Sequence, residues 1–140
     1  MKNLKILALI PARGNSKRIK NKNLRNLNGK PLIFWSIDAA KKSKYIKEIC
    51  VTSDSQAILE YSKKQKIKTI LRPKKLANDI IHAEKAMIHA YQFLNEKFDY
   101  VIMLQPTSPL RAAKHIDEAI EKIYYSKKDS LLSVCENSYF

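Results

Sequence analysis

Leu4-Lys5-Ile6-Leu7-Ala8-Leu9-Ile10-Pro11-Ala12-Arg13-Gly14-Asn15-Ser16-Lys17-Arg18 decides how this chain is read. The segment Leu4–Ile10 is apolar and strand-like. It ends in a loop that packs basic side chains around a glycine, and Lys20, Lys22 and Asn23 follow. A strand that ends in a Gly-containing, cation-rich loop is how α/β proteins hold phosphates, because backbone N–H groups and fixed cations face the same anion. The chain has two glycines, Gly14 and Gly29, both in or just after this loop. A local backbone requirement is therefore expected there. Neither the GxGxxG dinucleotide fingerprint nor the GxxxxGK[ST] loop is present.

Outward from this loop, apolar runs alternate with segments of helical period. After the first strand, Pro31 opens a helix that runs to about Lys42. Ile46–Thr52 is a second strand. Ser55–Lys64 is a short helix with Ser53, Asp54 or Ser55 as its cap. Ile67–Leu71 is a third strand. From His82 to Lys97, Ala83, Ala86, Met87, Ala90, Tyr91 and Leu94 recur at helical spacing. Tyr100–Leu104 is a fourth strand. Ile116, Ala119, Ile120, Ile123 and Tyr124 mark a further amphipathic helix, and Ser130–Cys135 starts a fifth strand. Phe34, Trp35 and Tyr91 read as core.

This alternation predicts an α/β fold: a Rossmann-like, doubly wound and mostly parallel sheet with helices on both faces. In such sheets ligands bind beyond the carboxyl ends of the strands. The polar residues that follow each strand therefore form one set: Arg13, Ser16, Lys17, Lys22 and Asn23; then Ser53 and Asp54; then Arg72 and Asp79; then Gln105, Thr107, Ser108 and Arg111; then Glu136. This rim is rich in cations and in amide and hydroxyl donors, as a polyphosphate site requires. Two prolines stiffen the turn Gln105-Pro106-Thr107-Ser108-Pro109, which either caps the next helix through Ser108 or holds Gln105 against a substrate. Arg72 either recognises a base or phosphate or sits in a surface ion pair.

The 140 residues are one domain's worth. The formal net charge of +14, from 27 Lys and Arg against 13 Asp and Glu, points to an anionic partner. Part of the excess is accounted for locally. Lys41, Lys42, Lys44 and Lys47 surround a helix end, where cations suit the dipole, and Lys63, Lys64, Lys66 and Lys68 sit at the next helix-to-strand turn. The cations are spread over many helix ends, and no RNA-binding aromatic motif or recognition-helix pattern appears, which argues against a nucleic-acid partner. Cys50 and Cys135 lie in apolar runs and read as reduced, buried thiols rather than a disulfide or metal pair. His82, His89 and His115 lack the carboxylate that would complete a ligand set. No run is long enough for a signal peptide or a membrane span, so a cytoplasmic protein is expected.

Five motifs occur in order: IPARGNSKRI followed by KNL; NGKPLI; a strand ending in TSD; RPKKLANDI; and LQPTSPLR. In these motifs, over residues 4 to 136, the chain resembles the acylneuraminate cytidylyltransferases, or CMP-sialic-acid synthetases. More distantly it is similar to the nucleotidyltransferases that activate 3-deoxy-octulosonate. The resemblance implies a transferase that moves CMP from CTP to the anomeric hydroxyl of a nine-carbon acidic sugar, with release of pyrophosphate and assistance from Mg²⁺. It implies Lys22 and Arg13 as catalytic residues, Lys22 neutralising charge that grows on the α-phosphate. The nucleotide loop maps onto Arg13, Ser16, Lys17, Lys22 and Asn23. Asn23 and Arg72 match positions that hold the ribose and the cytosine, and Gln105 matches a contact to the acceptor sugar.

Two departures stand out. Asn15 replaces the second glycine of the family's pair, and Ile80-Ile81-His82-Ala83 replaces a stretch with a small hydroxyl residue. The family's metal-binding aspartates, acceptor-pocket aromatics and dimerising excursion lie beyond position 140, so no metal ligand is assigned. The expectation is a single nucleotidyltransferase domain over 1–140: the N-terminal, nucleotide-binding part of the family domain, truncated on its C-terminal side, with a homodimer able to cover the exposed edge. The competing expectation is a catalytically inactive nucleotide-binding fragment that lacks the metal-binding carboxylates.

Overall fold

The computed structural model describes residues 3–14, 16, 18–76, 83–134 and 136. Strand β1, Ile6–Pro11, is the centre of the molecule; its first five residues are buried. Its side chains alternate between two cores. Ile6, Ala8 and Ile10 face one, with Ala12 just beyond the strand, and Leu7 and Leu9 face the other. A strand buried on both faces has no polar alternation, which is why it reads as a continuous apolar run.

After the loop come a 3₁₀ turn, Lys22–Leu24, and a two-residue hairpin of β2, Asn26–Leu27, with β3, Lys30–Pro31. Asn28 and Gly29 between these strands have φ of 50° and 82°, the left-handed pair that tight hairpins need. Gly29 thus serves this hairpin, which the sequence reading did not separate from the phosphate loop. Helix α1, Leu32–Lys42, follows, then β4, Ile46–Ser53, α2, Gln56–Lys64, β5, Lys68–Leu71, α3, Ala83–Leu94, β6, Tyr100–Met103, and α4, Ala113–Ser126.

The sheet order is β5-β4-β1-β6, and every pair is parallel. The chain moves outward from β1 to β5 and then returns past β1 to β6. Right-handed crossovers put α3 on the face opposite α1 and α2. The packing agrees. Ile33, Ile37, Ile58, Ile116 and Ile120 from α1, α2 and α4 build one core with Val51 and Leu104. Ala90, with Met87, Tyr91 and Leu94 of α3, covers Leu7, Leu9, Cys50 and Ile70 on the other face. Helices on both faces of a parallel sheet are the expected Rossmann-like architecture. Among the described residues, no helix is long and apolar enough to cross a membrane.

Helix ends compensate for the scarcity of glycine. Lys66, Asn95 and Lys127 take the left-handed positions after α2, α3 and α4, with φ of 59°, 48° and 53°, where glycine or asparagine is usual. Asp117 of α4 accepts from Ser43 Oγ at 2.6 Å and from the Lys44 N–H at 3.0 Å, which pins α4 to the end of α1. Tyr45 donates to Glu121 at 2.6 Å, and that bond lifts its phenol to about 12. Burial likewise pushes the Cys50 thiol up to about 12, as expected of a reduced core thiol.

Three expectations are corrected. Residues 130–134 form no strand, and Leu132 and Val134 are exposed. Among the described residues nothing pairs with this segment, and extended backbone gains its hydrogen bonds only from a partner. Glu136 therefore follows no strand, while Cys135 lies outside the described residues. Phe34 and Trp35 are only half-buried; Trp35 donates from Nε1 to the Leu27 carbonyl at 3.1 Å and braces the hairpin. Strand β6, apolar as it is, lies at the edge of the described sheet with β1 as its one described neighbour, and Val101 and Met103 stay 40% exposed. Ser108 does not cap α4. The helix starts after Ala112, whose N–H donates to His115 Nδ1 at 3.1 Å.

Candidate functional site

The strand order reverses at β1, since the chain runs from β1 through β4 to β5 and then returns to β6 on the other side of β1, so the crevice outside the carboxyl ends of β1 and β6 is the topological switch point of the sheet. Arg13 stands just past β1, and Gln105 just past β6, on the two sides of this crevice. The Leu104 N–H donates to the Leu9 carbonyl at 2.9 Å, so the two strand ends run together up to the rim.

The loop after β1 folds back on itself. Asn23 is buried, and its Nδ2 donates to the Arg13 carbonyl at 2.9 Å. This bond ties the 3₁₀ turn carrying Lys22, which is half-buried, to the end of β1. Ser16 is buried too, and its Oγ has no hydrogen-bond partner among the described residues. Lys17, Asn15, Asp79 and His82 lie outside the described residues.

Arg72 is the clearest departure from a surface ion pair. It is 6% exposed, and its N–H donates to the Ser53 carbonyl at 2.8 Å, which continues the β4–β5 ladder to the rim. Its Nε and Nη2 are buried with no hydrogen-bond acceptor among the described residues. Burial holds its proton affinity below that of an ordinary guanidinium; Asp54 opposes this shift and the nearby Arg13 adds to it. Two arginines thus converge at the ends of β1 and β5. A buried cation with unsatisfied donors is costly unless an anion completes it.

Gly14 answers a packing requirement, not a left-handed one. A Cβ there would sit 2.6 Å from Ser55 Cβ and 3.3 Å from Ser55 Oγ. The loop lies directly on the turn between β4 and α2. Asp54 Oδ1 accepts the Gly14 N–H at 2.8 Å, and Arg72 Nη2 is 4.0 Å from the same oxygen. Ser55, not Asp54, stands at the N-cap of α2, without a side-chain capping bond. The bond from Gly14 to Asp54 spans 40 residues. Its one signal in the sequence is a Ser-Asp-Ser cluster that reads equally well as a helix cap.

Gln105 is exposed at the crevice, and its backbone is firmly held. Its carbonyl accepts from Arg111 Nη2 at 2.9 Å and from Ser36 Oγ of α1 at 3.3 Å. Burial lowers the proton affinity of Arg111. The prolines and this arginine together fix the turn while the Gln105 side chain faces outward.

Among the described residues no three His, Cys, Asp or Glu side chains come close enough to hold a metal ion. With one Asp54 oxygen engaged by Gly14, the described residues do not fit a Mg²⁺ site of their own.

The sequence matches the cytidylyltransferase family model over residues 7–137. Over 122 residues it is 41% identical to a CMP-N,N'-diacetyllegionaminic acid synthase of Legionella pneumophila, covering 84% of this chain and 53% of that protein. Over 140 residues it is 36% identical to a pseudaminic acid cytidylyltransferase of Campylobacter jejuni, covering 97% of this chain and 60% of that protein. The chain therefore spans about half to three-fifths of the length of these relatives. The fold is similar to that of a CMP:2-keto-3-deoxy-manno-octonic acid synthetase complexed with CTP, with a TM-score of 0.76 at 21% identity, covering 88% of this chain and 48% of that one.

Proposed function

The chain belongs to the cytidylyltransferase family, and from that membership we propose that it transfers CMP from CTP to the anomeric hydroxyl of a nine-carbon acidic sugar and releases pyrophosphate. In this reading residues 1–140 are a single nucleotidyltransferase domain and form the nucleotide-binding part of the family domain. The observation that carries it is the buried Arg72, whose Nε and Nη2 have no acceptor among the described residues, beside Arg13 at the carboxyl rim. A nucleotide triphosphate supplies acceptors for Arg72 Nε and Nη2.

The roles follow from position. Arg13 and Lys22 take the phosphates, and Lys22 neutralises charge as the α-phosphate is attacked. Ser16 Oγ, buried without a partner among the described residues, and Lys17 complete the loop. Asn23 holds the loop closed and contacts the ribose, and Arg72 contacts the nucleotide from the β5 side. Gln105 orients the acceptor across the crevice. In such a transfer, catalysis comes from positioning and from cations placed where charge develops. Mg²⁺ would add charge neutralisation from ligands other than the described residues. The names of the relatives favour a sugar of the legionaminic, pseudaminic or sialic type. In this reading the protein works in the cytoplasm, where CTP is available, as a homodimer that covers part of the exposed Val101–Met103 surface.

The test is a product assay. The protein is incubated with CTP, Mg²⁺ and each of these three acids, and CMP-sugar and pyrophosphate are quantified. Equimolar CMP-sugar and pyrophosphate with at least one acid is expected. Binding of CTP with no product from any acid would favour an inactive nucleotide-binding module. Absence of CTP binding would overturn the reading.

A further inference from the structure

We propose that Asp54 is a positioning residue that locks the phosphate loop to the Arg72 side of the crevice, so that Arg13 and Arg72 meet a polyphosphate at one fixed spacing. This rests on the nucleotide-binding reading of the rim and adds to it a residue that touches no substrate.

Three strand ends meet at Asp54. The Ala12 N–H donates to the Thr52 carbonyl at 3.0 Å, and the Arg72 N–H donates to the Ser53 carbonyl at 2.8 Å. The backbones leaving β1, β4 and β5 therefore lie side by side, with β4 in the middle. Asp54 is the first residue beyond β4. It reaches Gly14 on one side at 2.8 Å and Arg72 on the other at 4.0 Å, through the same oxygen. Its side chain is 16% exposed and that of Arg72 is 6% exposed, so the contact is largely shielded from water. Gly14 is seated against Ser55, the next residue of the same turn, so the loop cannot tilt without losing both contacts.

The carboxylate also answers an electrostatic requirement. Arg13 and Arg72 repel each other, and burial disfavours the Arg72 charge further. A negative group beside them reduces the cost of keeping two cations directed at one anion. The two effects differ in reach. The Gly14 contact is a well-formed, charge-assisted hydrogen bond, and the Arg72 contact is at the outer limit of an ion pair. The hydrogen bond is therefore the larger part, and an amide that keeps an acceptor oxygen recovers part of the function.

The scarcity of glycine makes this measurable. Glycine-selective ¹⁵N labelling gives two backbone amide signals, Gly14 and Gly29. Gly29 donates to Asn26 Oδ1 at 2.8 Å and serves as the internal control. Amide exchange is measured on the ligand-free parent, Asp54→Asn and Asp54→Ala, and CTP affinity is measured on the same samples by calorimetry. Gly14 exchange is expected to accelerate at least about tenfold in Asp54→Ala and by less in Asp54→Asn, with Gly29 unchanged. CTP affinity is expected to fall about tenfold or more in Asp54→Ala, with partial recovery in Asp54→Asn. Gly14 exchange within twofold of the parent in Asp54→Ala would overturn the proposal. So would faster exchange, or a lowered melting temperature, with unchanged CTP affinity. If the parent itself binds no CTP, the nucleotide reading fails, while Gly14 exchange still decides whether Asp54 holds the loop.

Discussion

Lys22→Ala is expected to weaken CTP binding by about 10- to 100-fold while leaving cytidine binding within about twofold. Lys22 sits on a 3₁₀ turn that Asn23 anchors to the Arg13 carbonyl at 2.9 Å, so the backbone that carries it is held against the end of β1. A charge-assisted contact to phosphate is worth roughly 1.5–3 kcal/mol, and cytidine has no phosphate to lose it from. Arg13→Ala is expected to act in the same direction. Removing the Lys22 side chain empties no core space, so the melting temperature should stay within a degree or two. Calorimetric titration of both ligands decides the matter. Equal losses for CTP and cytidine would mean that Lys22 shapes the pocket as a whole and does not meet the phosphates.

The second large effect is expected from Gly14→Ala. The added methyl would lie 2.6 Å from Ser55 Cβ, an atom fixed to the backbone at the start of α2. Either the loop or the helix must move. Overpacking of this kind costs on the order of 1–3 kcal/mol, or roughly 3–10 °C in melting temperature for a domain of this size. The Gly14 N–H would also shift away from Asp54, so CTP affinity should fall with stability. Ser55→Gly in the same chain removes the opposing atom. Because Ser55 makes no side-chain capping bond, that change alone is nearly silent. The double variant should therefore recover most of the lost melting temperature, a non-additivity that only direct contact explains. An unshifted melting temperature in Gly14→Ala would show that the loop does not rest on Ser55.

The core strands and helices were legible in the sequence because burial on two faces leaves continuous apolar runs, and burial on one face leaves a helical period. The same logic misled at Ser130–Cys135, where an apolar run suggested a strand but residues 130–134 have no described neighbour to pair with. It also misled at Phe34 and Trp35, where aromatic character suggested core and the structure uses Trp35 to hold a hairpin. That hairpin was itself written in Asn28-Gly29, the strongest two-residue turn signal in the chain. Its nearness in the chain to the Gly14 loop hides it, since one glycine-containing loop and a loop followed by a hairpin look alike in the sequence. At the rim, residue types and order along the chain pointed to a shared edge. The burial of Arg72 and the contact between Asp54 and Gly14 could not be read that way. Both depend on β4 lying between β1 and β5, a strand order that the sequence does not print. Gly14 shows the difference well: the sequence marked it as special, and only the distance to Ser55 says why.

The most direct measurement is a crystal structure of the protein soaked with CTP and Mg²⁺. The triphosphate should lie at the carboxyl ends of β1 and β5, within hydrogen-bond reach of Arg13, Lys22 and Arg72, with Gln105 facing it across the crevice. A triphosphate bound instead at the opposite edge of the sheet, among Lys41, Lys47 and Lys66, would contradict the assignment of the site.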